Sequence, residues 1–314
     1  MNTLRKRIAI LLIQTLSPQH DDMTRLFVEQ LTVLDCAYLD AQRGLVGESW
    51  IVDIELDGDL DEQSMVLDFA EMKKRLKRAL DGSADHTLIV PLLHPGLQLQ
   101  RQKERVGLEF HGPAAGPIEH RAPPQALTLL EARQVNNASL AAHLQPILAR
   151  EVPANVARVS LQLRHERIDG AYYHYTHGLK KHAGYCQRIA HGHRSRLEIR
   201  LDGQRAAALE AGWSERWRDI YLGTREDLRL RQNGRLRFAY TAAEGAFELE
   251  LPESRCDLLD SDSTVERIAE HLAARTAAEQ PDSRVEVRAY EGVMKGALAA
   301  VDAAAQGDAG SAPP

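Results

Sequence analysis

Aromatic residues are scarce in this 314-residue chain, at 5% of the total. Platforms that stack single-stranded bases need more of them. A positive charge excess is also missing. The net charge is −6 and the pI about 6.1, so no nucleic-acid partner is expected. Cysteine is limited to three widely spaced residues. An odd, scattered set argues against a disulfide framework and for a reducing, cytoplasmic setting. No apolar run approaches the ~20 residues that span a bilayer, so no membrane partner is expected. Arg5, Lys6 and Arg7 precede the apolar run from Ile8 to Ile13, which superficially resembles a signal peptide. That run is short, and no small-x-small cleavage site follows. Residues 1–22 read instead as a flexible or strand-forming extension.

What is present is ordinary for a soluble globular protein: 44% hydrophobic and 27% charged residues. At ~150 residues per domain, the length predicts two domains. The first half opens with a long strand pattern from Leu26 to Leu39, broken by Gly44 and Gly47. Ser49 to Leu56 alternates, with Trp50, Val52, Ile54 and Leu56 on one face, as in a half-buried antiparallel strand. Asp68 is placed to cap a helix over 69–80, whose Phe69, Met72, Leu76 and Leu80 share a face. Residues 91–125 hold several Pro and Gly and read as an irregular insertion. A helix over 137–149 and an alternating strand over 156–166 close this half.

The second half repeats the order. Strands are expected over 171–179 and 194–201, a helix over 213–228, and two strands around Glu244-Gly245 within 235–251. Ser263 is placed to cap a helix reaching about Ala277, and 284–291 alternates again. Strand–strand–helix–helix–strand thus occurs twice, about 140 residues apart, which is too long for a solenoid and right for two domains. The expected organisation is an extension over 1–22, domains over 23–166 and 167–302, and a disordered Ala/Gly/Ser/Pro tail over 303–314.

Histidine is the residue that clusters. Six of the 13 histidines lie between His165 and His193, with Cys186 among them. His191 and His193 stand at i and i+2 on a strand, so their side chains share a face. Both imidazoles can then meet one metal, with Gly192 leaving room between them. His177, on the preceding strand, is the candidate third ligand of an open site whose fourth position is left for water or substrate. Cys186 near such a metal suits a base or nucleophile. It also suits a fourth ligand, which would close the site into a structural one. Spacing alone leaves both readings open, beside that of plain surface histidines.

His177-Gly-Leu, then Cys186, then His191-Gly-His193 after four intervening residues, resembles the 6-pyruvoyl/6-carboxytetrahydropterin synthase family. The resemblance covers both halves, with different parts in each. In the second half it makes His177, His191 and His193 ligands of Zn2+ and Cys186 the catalytic base. Ser263-Thr264-Val265-Glu266 resembles the start of the family's second helix, which puts Thr264 in the pterin pocket. Val287-Arg288-Ala289-Tyr290-Glu291 resembles the strand whose final glutamate anchors the pterin, a carboxylate accepting two parallel donors. The family's Asp-His pair has no match between Trp213 and Leu259.

In the first half, Ser64-Met65-Val66-Leu67-Asp68-Phe69 resembles the segment before the family's first helix. Ala84-Asp85-His86 resembles its Leu-Asp-His. Ala37, Val46 and Glu48 stand where the three zinc histidines should be, while Glu166 matches the anchor position. Each half lacks what the other keeps, so the resemblance implies one composite site served by Asp85 and His86 from one half and zinc, Cys186 and Glu291 from the other. It implies an α+β architecture of two tandem tunnelling-fold domains, each an antiparallel sheet with two helices. It further implies a homo-oligomer, such as a trimer of tandem chains, and a small pterin substrate, 7,8-dihydroneopterin triphosphate. The implied product is 6-carboxytetrahydropterin, on the route to queuosine-type deazapurines, with acetaldehyde and triphosphate expelled, or the 6-pyruvoyl compound if only triphosphate is eliminated. Lys180, Lys181, Arg188 and Arg194 flank the motif and are candidates to attract the triphosphate. A zinc-stabilised assembly or binding protein without turnover is the reading from another class.

Overall fold

The computed structural model describes residues 23–114 and 116–303. Residues 1–22 and those from 304 on, where the extension and most of the tail were expected, lie outside them. The first unit runs β1 (Thr24–Asp40), β2 (Gly44–Gly58), α1 (Phe69–Asp81), β3 (Leu88–Pro91), β4 (Leu97–Arg101), β5 (Val106–Gly112), β6 (Gly116–Ala122), β7 (Leu127–Leu130), α2 (Asn137–Ala149) and β8 (Val156–His165). The second runs β9 (Tyr172–His177), β10 (His191–Leu201), β11 (Gln204–Arg205), α3 (Ala207–Arg216), β12 (Ile220–Thr224), β13 (Leu228–Gln232), β14 (Arg235–Ala242), β15 (Gly245–Pro252), β16 (Cys256–Leu259), α4 (Val265–Glu279), β17 (Val285–Tyr290) and β18 (Gly296–Val301). The architecture is α+β. Among the described residues no helix is long and apolar enough to cross a membrane.

The sheets repeat as the elements do. One has the order β7-β3-β1-β2-β8, and another β16-β12-β9-β10-β17-β18, with β11 on β10. The third joins the units in the order β13-β14-β15-β6-β5-β4. Its central seam pairs β15 antiparallel with β6, Leu249 opposite His120. Because β6 and β15 hold the same place in their units, the order reads alike from both ends.

Local chemistry explains most boundaries. The Asp68 carboxylate accepts from the backbone N–H of Ala70 and Glu71 and starts α1. Met72, Leu76 and Leu80 form its buried face. Asn136 and Ser139 close a reciprocal capping box at α2. Leu140, Leu144 and Leu148 then turn inward against Trp50 and Leu34. In the second unit Trp213 and Trp217 pack with Ile268 and Leu272 of α4. A third core belongs to both units: Leu88 and Phe110 of the first meet Ile189, Phe238 and Phe247 of the second. Burying that shared apolar surface couples the two units.

Four expectations need correction. Residues 91–125 are not irregular, since β4, β5 and β6 form an antiparallel meander with Leu108 opposite His120. Their Gly and Pro sit at turns and strand ends, which masked the strand signal. The expected helix over 213–228 ends at Arg216, and its remainder is β12 and the start of β13. The apolar Ile220-Tyr221-Leu222 run is a fully buried strand, which periodicity alone does not separate from helix. Gly47 does not break a strand but lies inside β2. The cap of α4 is Thr264 rather than Ser263.

Gly47 and Gly192 mark a close crossing of β2 and β10. A Cβ on Gly47 would sit 2.6 Å from the His193 nitrogen, and one on Gly192 would sit 2.7 Å from Gly47 Cα. Backbone meets backbone here, so neither position has room for a side chain.

Candidate active site

Strand register builds a three-histidine cluster. His191 lies opposite His177 and His193 opposite Tyr175 in the antiparallel β9–β10 pair. The i, i+2 spacing turns His191 and His193 to one face, and the register brings His177 beside them. All three are buried. One ring nitrogen from each lies within 4.8 Å of the others.

The other ring nitrogens are engaged. His177 Nδ1 donates to the Ser263 carbonyl at 2.9 Å and lies 3.1 Å from the Ser263 hydroxyl. His191 Nδ1 donates to the Arg188 carbonyl at 3.1 Å. His193 Nδ1 stands 3.2 Å from Asp35 Oδ1. A carbonyl only accepts, so Nδ1 of His177 and His191 carries the proton and Nε2 is left bare. His177 Nε2 and His193 Nε2 then face each other at 3.3 Å. Burial, then the neighbouring histidines, hold His177 and His191 well below the ordinary histidine range. The bare Nε2 atoms of His177 and His191 converge with a ring nitrogen of His193, and a borderline metal such as zinc suits three nitrogens.

Beside this cluster stands a second group. His86, Cys186 and His191 also bring one donor atom each within 4.8 Å of one another. The His86 and His191 rings are 4.8 Å apart, centre to centre. His86 comes from the other unit, on the turn before β3, with φ +54°. Its backbone N–H donates to the Asp35 carbonyl at 2.7 Å. Asp85 accepts from the Asp35 N–H at 2.9 Å and from His86 Nδ1 at 2.6 Å. Burial works to lower the His86 pKa, but the hydrogen bond to Asp85, with Cys186 alongside, outweighs it and pushes it up to about 10.

Cys186 sits in a one-turn 3-10 helix, Tyr185–Gln187. The Leu179 N–H donates to its carbonyl at 2.8 Å. Tyr240 donates to the Gln187 carbonyl at 2.7 Å, and Gln187 accepts from the Glu244 N–H at 2.8 Å. The β14–β15 hairpin therefore holds the cysteine loop.

The remaining candidates are placed as follows. Glu291 follows β17, and its carboxylate lies 3.6 Å from Lys295 Nζ, which also reaches Asp35 at 3.5 Å. Thr264 is not gathered into the histidine cluster: its hydroxyl caps α4 by accepting from the Arg267 N–H. Ser263, one residue earlier, is the one that holds His177. Of the flanking cations, Lys180 pairs with Glu226 and Asp227, Lys181 with Asp262 and Arg188 with Glu244. Arg194 donates to the Glu166 carbonyl and lies over the Tyr172 ring. A cavity of about 680 Å3 opens elsewhere, between β9 and α3, and none of the three histidines lines it.

The place in the first unit that corresponds to the histidine cluster is filled differently. Gly47 lies opposite Ala37 and Gly192 opposite Thr176. With the two glycines aligned, the counterpart of His177 is Tyr38, not Ala37; Val46 and Glu48 stand for His191 and His193. The one-residue slip comes from strand pairing, which spacing does not display. Asp219 holds the place of His86, with the same φ of +54°. Arg43 binds Asp219 at 2.5 and 3.0 Å and donates to the Tyr38 hydroxyl at 3.1 Å. An ion pair thus occupies the ground that the imidazoles hold in the other unit. Glu48 lies 3.8 Å from His174, and Asp35 3.2 Å from His193. The acid–imidazole contact survives on both sides with its partners exchanged. Asp35 was missed in the sequence because it has no motif and gains its role only across the unit boundary.

Fold and site together define an α+β chain of two repeated units with a buried, metal-suited histidine cluster at their junction. Residues 36–167 match the family model described as 6-pyruvoyl tetrahydropterin synthase. Among solved structures, a catalytic-residue mutant of Plasmodium vivax 6-pyruvoyltetrahydropterin synthase is 17% identical, with a TM-score of 0.36, over 46% of this chain and 99% of its own. The Plasmodium falciparum 6-pyruvoyl tetrahydropterin synthase is 17% identical, with a TM-score of 0.37, over 45% of this chain and 90% of its own. No curated protein is similar enough in sequence to count as a relative.

Proposed function

We propose that the chain is a zinc-dependent lyase of the pterin synthase type, converting 7,8-dihydroneopterin triphosphate and water to 6-carboxytetrahydropterin with release of acetaldehyde and triphosphate. The observation that carries this reading is the meeting of His86 from one unit with Cys186 and His191 from the other. Residues 23–166 supply Asp85 and His86, and residues 167–302 supply Cys186 and the metal ligands.

His177, His191 and His193 would hold the zinc, which supplies Lewis acidity toward the hydroxyl oxygens of the substrate side chain. Cys186, as thiolate beside cationic His86, removes a side-chain proton. Asp85 holds His86 through Nδ1 and leaves Nε2 for the cysteine and the reacting groups. Glu291 accepts the two parallel donors of the pterin edge. The ion pairs of Lys180, Lys181 and Arg188 count against their serving the triphosphate. Thr264 has a weaker claim than Ser263, since its hydroxyl is spent on the helix cap.

Chromatographic product analysis after incubation with 7,8-dihydroneopterin triphosphate tests the reading. A 6-carboxy product supports it, and a 6-pyruvoyl product moves the chain to the sister reaction. Bound zinc with no turnover would favour the non-catalytic assembly protein. The chain is further proposed to act as a cytoplasmic homo-oligomer, which sedimentation would test.

A further inference from the structure

Tyr175 is a buried tyrosine that the proposed chemistry does not use. It stands two residues before His177 on β9 and directly opposite His193 on β10. Strand alternation therefore turns it to the face that carries the histidine cluster. Its ring lies 5.1 Å from that of His177 and 5.3 Å from that of His193. The residue is fully buried, yet its hydroxyl has no partner among the described protein groups. Most buried hydroxyls are paired, and one left unpaired costs free energy comparable to a lost hydrogen bond. A phenol hydroxyl at neutral pH is a donor.

We infer that the Tyr175 hydroxyl is a hydrogen-bond donor reserved for a pterin bound beside the histidine cluster. The inference rests on the pterin reading of the site. A hydroxyl that is unpaired in the free protein and paired in the complex adds discrimination, because a ligand without the matching acceptor leaves it unpaired.

The test is Tyr175→Phe, which removes one oxygen and keeps the ring. Three quantities are read on the zinc-loaded protein: melting temperature without ligand, zinc content, and 7,8-dihydroneopterin affinity by fluorescence titration. The expected result is a ligand-free melting temperature about 2 °C or more above wild type, unchanged zinc, and about tenfold weaker binding. A ligand-free melting temperature that does not rise shows that the hydroxyl already has a partner, and overturns the inference. Unchanged affinity overturns it too, as does loss of zinc, which would make Tyr175 a support for the metal ligands. If wild type binds no 7,8-dihydroneopterin, the pterin reading falls and takes the inference with it. If wild type binds and the variant binds equally well, the inference alone falls.

Discussion

Asp35 Oδ1 lies 3.2 Å from His193 Nδ1, across the boundary between the two repeated units. The carboxylate also accepts from the Ser49 hydroxyl at 2.5 Å and faces Lys295. Burial acts to raise the Asp35 pKa, but His193, Lys295 and Ser49 together hold it far below the usual carboxylate range. An anionic partner on Nδ1 orients the ring and makes Nε2 a better ligand. Asp35→Asn is therefore expected to weaken zinc binding by about 10- to 100-fold. Competition against a chromophoric chelator measures this, and a circular dichroism spectrum like that of wild type separates it from unfolding.

The ligand assignment predicts about one zinc per chain. His191→Ala should bring elemental zinc to background after dialysis, as should His177→Ala. Zinc retained by both variants would place the metal elsewhere.

His86→Ala should behave differently from the ligand variants. It should keep its zinc and lose turnover by about 10²- to 10⁴-fold, the usual range for a positioned proton-transfer group. Because His86 and His191 meet within one chain, mixing His86→Ala with His191→Ala should restore no activity. Recovery on mixing would show that the site forms between chains.

Gly192→Ala tests the junction. The added Cβ would meet Gly47 Cα at 2.7 Å, and the nearby Tyr175 carbonyl also has nowhere to go. Overpacking of backbone against backbone should cost about 1–3 kcal/mol and spread β9 from β10. A lower denaturation midpoint with reduced zinc content is the expected pair of results.

His120 predicts an acid sensitivity. Burial is the main cause that lowers its pKa, to about 4, against 6.5 for an ordinary histidine. Its Nε2 donates to the Ile189 carbonyl, which works toward raising the pKa, but burial outweighs the bond and the folded protein holds the ring neutral. Below pH 6.5 the unfolded chain takes up a proton that the folded chain refuses, so stability falls as pH drops from about 6.5 toward 4. Between pH 7 and pH 5 this contributes about 2 kcal/mol of destabilisation. Urea titrations at the two pH values should show a loss that much smaller for His120→Gln.

Much of the local structure was legible in the chain. Asp68 marked the start of α1, and the apolar spacing of Met72, Leu76 and Leu80 marked its inner face. The bounds of α2 were readable because Asn136 and the residues after it carry their own capping chemistry. Alternation revealed β2, β8, β10 and β17, since one face of each packs on helices. The meander of β4 to β6 was not readable. Its strands are short, interrupted by Gly and Pro, and take their apolar partners from the shared core. β12 reads as helix in the sequence for a similar reason: a strand buried on both faces carries no period.

The site divides along the same line. His191-Gly192-His193 declared a shared face by spacing alone, because a strand alternates with period two. The resemblance to the pterin synthases picked out His177, Cys186 and Asp85-His86. What the sequence did not contain was any relation between residues of different units. Tertiary structure decided that His86 meets Cys186, that Asp35 rather than a residue of the second unit faces His193, and that Tyr38 rather than Ala37 is the counterpart of His177. Each depends on strand register or on the close crossing at Gly47 and Gly192, where the geometry of two backbones, not the chemistry of one segment, selects the neighbours. The sequence by itself determined which residues could do chemistry and on which face of each strand they lie. The tertiary structure decided which of them act together, because packing energy is shared among segments far apart in the chain.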